Sequence, residues 1–120
     1  MTDAVRMAFA QEWSAAAAAR KDGDLGRAFH HLERAHVIGQ RRTWLHVRAH
    51  LAMLAIGWRR RDRREIAAQL PRIVAAAVFS RLWVPSGNTG GANVGAFVRL
   101  PLPDDLAALL GSGRRPRAPR

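Results

Sequence analysis

A chain of 120 residues, 48% of them apolar, is long enough to bury one hydrophobic core and is not composed like a disordered segment. It contains no cysteine, which excludes disulfides, thiolate metal sites and iron–sulfur clusters, so any metal must be held by nitrogen and oxygen. The formal charge is +11, carried by 20 basic residues of which only Lys21 is lysine, and it concentrates at Arg59 to Arg64 and in the tail from Arg114 to Arg120.

No stretch approaches the roughly 18 uninterrupted apolar residues of a membrane span. Asp3 comes early and Glu12 interrupts the first apolar run, which argues against a signal peptide. The expectation is therefore a cytoplasmic protein without a membrane span.

Residues 3 to 21 read as a first helix, alanine-rich and ending before the turn Asp22-Gly23-Asp24. Val5, Phe9 and Ala16 share one face of it, and Glu12 falls in the middle of that apolar face. A carboxylate there is costly unless it is paired or coordinated.

Asp24 can cap a second helix from about Leu25 to Ile38, with Gly39 as its terminator. Leu25, Ala28, Phe29, Leu32 and Ala35 form its stripe, and His36 sits inside it. Glu33 lies at one edge and His31 at the other, while His30 projects towards the solvated face. The stretch from Ala19 to Ala35 resembles half of a tetratricopeptide repeat, but no second copy follows at the required period. It reads as a helical hairpin.

Thr43 can cap a third helix running to about Trp58, which is apolar on nearly every side and so belongs at the centre of the molecule. His46 and His50 are four residues apart on it, about 40° apart around the helix. A fourth helix spans about Asp62 to Leu82, with Ile66, Leu70, Ile73 and Ala77 as its apolar stripe and Pro71 inside the pattern. Glu65 and Arg72 share its polar face, and Gln69 at the boundary can reach inward. Residues 86 to 96, SGNTGGANVGA, make a loop built for tight turns. It lacks the lysine and following helix of a phosphate-binding P-loop, so it reads as a structural or lid-like loop. Pro103-Asp104-Asp105 opens a short helix ending at Leu110.

All five histidines lie between His30 and His50. Glu33 with His36 makes E-x-x-H, and His46 with His50 makes H-x-x-x-H; each spacing puts two side chains on one helix face. Counted at about 1.5 Å per residue from the hairpin turns, Glu12, Glu33, His36, His46 and His50 fall at depths that let them converge. Each has an ordinary reading alone: a hydrogen-bonded core histidine, or a carboxylate paired with arginine. Together, ionisable groups on apolar faces of adjacent helices are costly without an ion. Di-iron bundles use more carboxylates than are available here, and imidazole-rich sites suit zinc, iron or copper.

The blocks FHHLERAHVIGQRRTWLHVRAH, RRRDRREIAAQLPRI, VPSGNTGGANV and LPLPDDL resemble a family of small bacterial proteins known as domain of unknown function 3703. The resemblance covers roughly residues 10 to 110. It implies an all-helical protein whose pattern includes the positions of His31, Glu33, His36, His46, His50 and the G-N-T-G-G loop, with no activity assigned.

The expectation is an all-α, roughly four-helix bundle of antiparallel hairpins over residues 1–112, with a disordered basic tail at 113–120. Its candidate metal ligands are Glu12, His31, Glu33, His36, His46 and His50. Such a site suits a metal-handling accessory protein or an oxidoreductase-like bundle. The alternative is a metal-free binding module that uses its arginines on nucleic acid, weakly and non-specifically, or on an acidic protein; a helical adaptor is a third reading.

Overall fold

Short polar side chains open three of the helices. In a computed structural model, which describes residues 2–111, Thr2, Asp24 and Asp62 accept from the backbone N–H groups of Val5, Arg27 and Glu65 at 3.3, 3.1 and 3.1 Å. The elements are α1 (Asp3–Lys21), α2 (Leu25–Gly39), α3 (Thr43–Arg59), α4 (Arg63–Phe79) and α5 (Asp104–Leu110). The chain is all-α, with α1 to α4 packed as successive antiparallel neighbours. The basic tail singled out in the sequence lies outside the described residues.

Two expected helix signals act differently from their reading. Thr43 is the first residue of α3 rather than its cap; Arg42 takes the cap position and offers no side-chain bond. Gly39 does not terminate α2 through a left-handed conformation; it ends the helix with ordinary backbone. Its value is space. A Cβ there would lie 2.8 Å from Leu45 Cβ and 3.0 Å from the Phe9 ring, so glycine lets α1, α2 and α3 meet at that level.

The apolar core lies between the first three helices. Ala16 and Ala19 of α1, Ala28 and Leu32 of α2, and Ala52, Met53 and Ile56 of α3 form one buried cluster. Phe9, Ala35, Val37 and Ile38 form a second, closed by Leu106 of α5. Arg48 lies 4.5 Å over the Trp13 ring, a cation–π contact that keeps its charge at the surface between α1 and α3.

The fourth helix is attached by other means. Of the long helices, α4 packs against α3. The expected stripe does not face inward: Leu70 is 54% exposed and Ala77 is exposed, while Ile66 and Ile73 are half-buried. The buried positions are Glu65, Gln69, Ala76 and, at the cap, Ser80. The helix is turned this way because its inner side chains bond to α3 and to the loop after it, and those polar bonds outweigh the burial of one isoleucine or leucine.

Candidate metal centre

Three of the histidines meet. His36 comes from the last turn of α2, and His46 and His50 from the first half of α3. The Nε2 atom of His36 lies 2.9 Å from that of His46 and 3.1 Å from that of His50, and the latter two are 3.1 Å apart. All three side chains are buried, with 2%, 7% and 2% exposure. This H-x-x-x-H pair therefore acts with a histidine one hairpin away in sequence.

The outer nitrogens settle the proton positions. His36 Nδ1 lies 2.8 Å from the Asn88 backbone carbonyl, which can only accept, so Nδ1 carries the proton. His50 Nδ1 lies 2.6 Å from Gln69 Oε1. The Gln69 amide nitrogen donates to Glu65 Oε1 at 2.7 Å and to the Gly90 carbonyl at 2.9 Å, which orients its oxygen towards the histidine. His46 Nδ1 lies 2.8 Å from Ser80 Oγ, whose own proton goes to the Ala76 carbonyl. Each ring is thus a neutral imidazole protonated at Nδ1, and three Nε2 lone pairs face one point.

Burial keeps them neutral. It pushes His46 down to about 3, with the neighbouring His50 adding to the effect and the Gln40 backbone opposing it. His50 is pushed down to about 4 by burial, with the Gln69 bond working the other way and Arg72 adding to the fall. His36 is held well below the usual histidine range by burial and then by the other two rings.

The G-N-T-G-G loop builds the outer wall. Gly90 has φ +84°, and a Cβ on it would lie 2.8 Å from His36 Cδ2 and 2.9 Å from Nε2. Only glycine both adopts that conformation and lets the backbone rest on the imidazole. Asn88 holds the loop in shape: its amide nitrogen donates to the Gly95 and Val98 carbonyls, and its Oδ1 accepts from Gly90 N. The loop has the structural role read from its sequence, applied to the histidines.

The other sequence candidates lie elsewhere. Among the described residues the group that could hold a metal is His36, His46 and His50, and it includes none of Glu12, His31 and Glu33. Glu12 accepts from His31 Nδ1 and Arg34 Nε, each at 2.7 Å, and Arg34 continues to Asp105 at the start of α5. Burial works to raise the Glu12 carboxyl, but the bonds from Arg34 and His31 outweigh it and hold it below its ordinary value. The carboxylate on the apolar face of α1 is thus a tie between α1, α2 and α5. Glu33 lines a small separate pocket with Glu65, Arg60 and Asn93. Burial pushes its carboxyl up, and the Glu65 charge adds to that.

Sequence reasoning missed most of the supporting shell. Glu65, placed on the polar face, is 7% exposed and accepts from Gln69 and from Ala92 N. Its spacing of four from Gln69 was the available signal, a polar pair on one face. Ser80 and Asn88 had none.

The three histidines also line one end of a cavity of about 610 Å³ between α4 and the segment that follows it. A cavity of that size on one side of a histidine triangle is where a ligand to a bound ion would enter. No helix among the described residues is long and apolar enough to cross a membrane.

The profile of the family described as "protein of unknown function (DUF3703)" matches residues 3–110. No curated protein and no solved structure matches the chain.

Proposed function

We propose that this chain, which belongs to the DUF3703 family, is a mononuclear metal protein in which His36, His46 and His50 hold one transition-metal ion with a coordination position open to the cavity. The observation that carries this is the convergence of three unprotonated Nε2 atoms within 3.1 Å of one another. Three lone pairs in a buried site repel unless a cation lies between them, and the acceptors on the Nδ1 side hold the protons that would otherwise intervene. Their separations are near the roughly 3.3 Å kept by nitrogens around a tetrahedral ion with bonds of about 2.0–2.1 Å.

Zinc suits the donor set best. Three neutral imidazoles with a fourth position open are the arrangement of catalytic zinc sites, and each imidazole here has the Nδ1 acceptor that such ligands carry. The set contains no carboxylate, unlike di-iron bundles and the two-histidine-one-carboxylate iron sites. The burial of all three ligands favours a resident ion over one handed between proteins. A zinc ion here would lower the pKa of a bound water and polarise a bound carbonyl or carboxylate.

Elemental analysis of untagged protein purified without chelator tests the reading. About one zinc per chain is expected, lost in His36→Ala and His50→Ala and retained in His30→Ala, which alters an exposed histidine. Chelator should lower the melting temperature of the wild type and leave His50→Ala unmoved, because an ion bound to the folded state stabilises by roughly 4 kcal/mol when present at about 1,000 times its Kd. Folded protein that is metal-free and takes up neither zinc, cobalt nor copper on titration would overturn the proposal.

A further inference from the structure

The cavity beside the triad has a composition that specifies its occupant. Its wall is built from Pro71, Ala75, Phe79, Leu82, Trp83 and Phe97, an apolar lining of a volume ordinary for small-molecule sites. The polar groups that reach it are mostly spent. The Gln40 amide donates to the Pro85 carbonyl, Asn88 to the Gly95 and Val98 carbonyls, and Ser80 to Ala76. Phe79, Leu82 and Phe97 are 54%, 81% and 75% exposed, so the apolar lining continues outward to an apolar rim.

Charge supplies the second constraint. Three neutral imidazoles leave a bound dication with its full +2. Arg72, charged at any physiological pH, lines the same cavity and stands close enough to depress both His36 and His50. At the rim, Arg99 lies 5.8 Å over the Trp83 ring. No aspartate or glutamate is among the lining residues. Glu65, the nearest acid in the network, is separated from His50 by Gln69. In a low-dielectric space this excess of positive charge demands an anion, and the walls demand that the rest of the ligand be apolar.

We infer that the cavity binds a monocarboxylate with an apolar body, its carboxylate on the open position of the metal and its hydrocarbon against Phe79, Leu82 and Trp83. The inference rests on the metal reading and adds the ligand class to it. Straight-chain carboxylates from acetate to decanoate, each with the matching alcohol, are the probes. They are titrated into cobalt-loaded protein whose metal content is measured on the same sample.

Affinity should rise about three- to fourfold per methylene until the cavity is filled. The cobalt visible spectrum should shift on carboxylate binding, and octanol should bind far more weakly than octanoate. Arg72→Gln should weaken octanoate and leave octanol unchanged. Ala75→Trp, which fills the cavity, should abolish octanoate binding while metal content stays at one per chain. Equal affinity for octanol and octanoate would overturn the assignment of an anionic ligand. Acetate binding as tightly as octanoate would overturn the apolar body. Absence of any binding or spectral change in protein carrying a full complement of cobalt would overturn the inference and leave the metal centre standing. Protein that takes up no metal would remove both.

Discussion

At the scale of single residues, the site is a problem of proton placement. Gln69 is fully buried and has one orientation that satisfies its neighbours: nitrogen to Glu65 and Gly90, oxygen to His50. It thereby fixes which nitrogen of His50 faces the other two imidazoles. Gln69→Leu keeps the volume but removes the acceptor, and leaves Glu65 Oε1 without the donor that Gln69 supplies. Metal affinity should fall by about 10- to 100-fold, as it does for other outer-shell partners, measured by competition with a chromophoric chelator. An unchanged Kd would mean that packing alone orients the ring. The same residues set an acid limit for the metal-free protein. Well above the ordinary histidine pKa of about 6.5 the three histidines are neutral both folded and unfolded and contribute nothing to pH dependence. As the pH falls below that, the unfolded chain takes up protons that the folded one refuses, because His50 titrates at about 4 and His46 at about 3 when buried. Stability should therefore fall on acidification by up to about 1.4 kcal/mol per pH unit for each histidine, levelling only as the pH passes those folded values. Denaturant melts of chelated protein at pH 7.5, 6 and 5 measure it, and a midpoint that does not move across that range would contradict the burial of neutral rings.

At the scale of elements, α4 and the loop after it depend on polar bonds where the other helices depend on apolar contacts. The only buried apolar side chain of α4 is Ala76, and its remaining inner groups are Glu65, Gln69 and the cap Ser80. Loosening the loop should therefore reach the histidine triad before it reaches the core. Gly90→Ala places a side chain in a left-handed backbone and against the His36 ring, at a cost of order 1–3 kcal/mol. Its effect should appear as weaker metal binding, with faster amide exchange over α4 and little change over α1 to α3. Gly39→Ala, which collides with Leu45 and Phe9 in the apolar core, should instead lower the melting temperature of loaded and chelated protein alike. If the two variants gave the same profile, α4 and the core would be one cooperative unit.

At the scale of the whole molecule, the net charge is +11, and none of its concentrated run Arg59 to Arg64 lines the cavity beside the histidine triad. The exposed run Arg59 to Arg64 has the 74% exposed Trp58 as its adjoining aromatic, thin support for stacking bases. Nucleic acid should consequently bind weakly, without sequence preference, and with a steep fall between low and physiological salt, as release of counterions requires. That binding should survive His36→Ala and diminish when residues 114–120 are removed. Filter binding at two salt concentrations distinguishes this from recognition; tight, sequence-selective binding at physiological salt would make the arginine surface the functional one.

What the sequence determined by itself was whatever local rules govern. The starts of α2 and α5 followed from the cap at Asp24 and the turn at Pro103, the all-α class from periodicity, and the pairing of His46 with His50 from a spacing of four, while α4 begins at Arg63 and stops at Phe79, short of the Leu82 expected. His36 could be placed in the same interior because it lies inside an apolar stripe. The convergence of these three, and the pairing of Glu12 with both His31 and Arg34, were decided by tertiary structure. Glu12 and His36 look alike in sequence, each an ionisable group on an apolar face. Which one meets an arginine and which meets other imidazoles depends on the helix packed opposite. The orientation of α4 was illegible for a sharper reason. Periodicity finds a buried face by its hydrophobicity, and the buried face of this helix is polar: Glu65, Gln69 and Ser80 are inward because each bonds to a partner far away in the chain, and Leu70 is left in solvent.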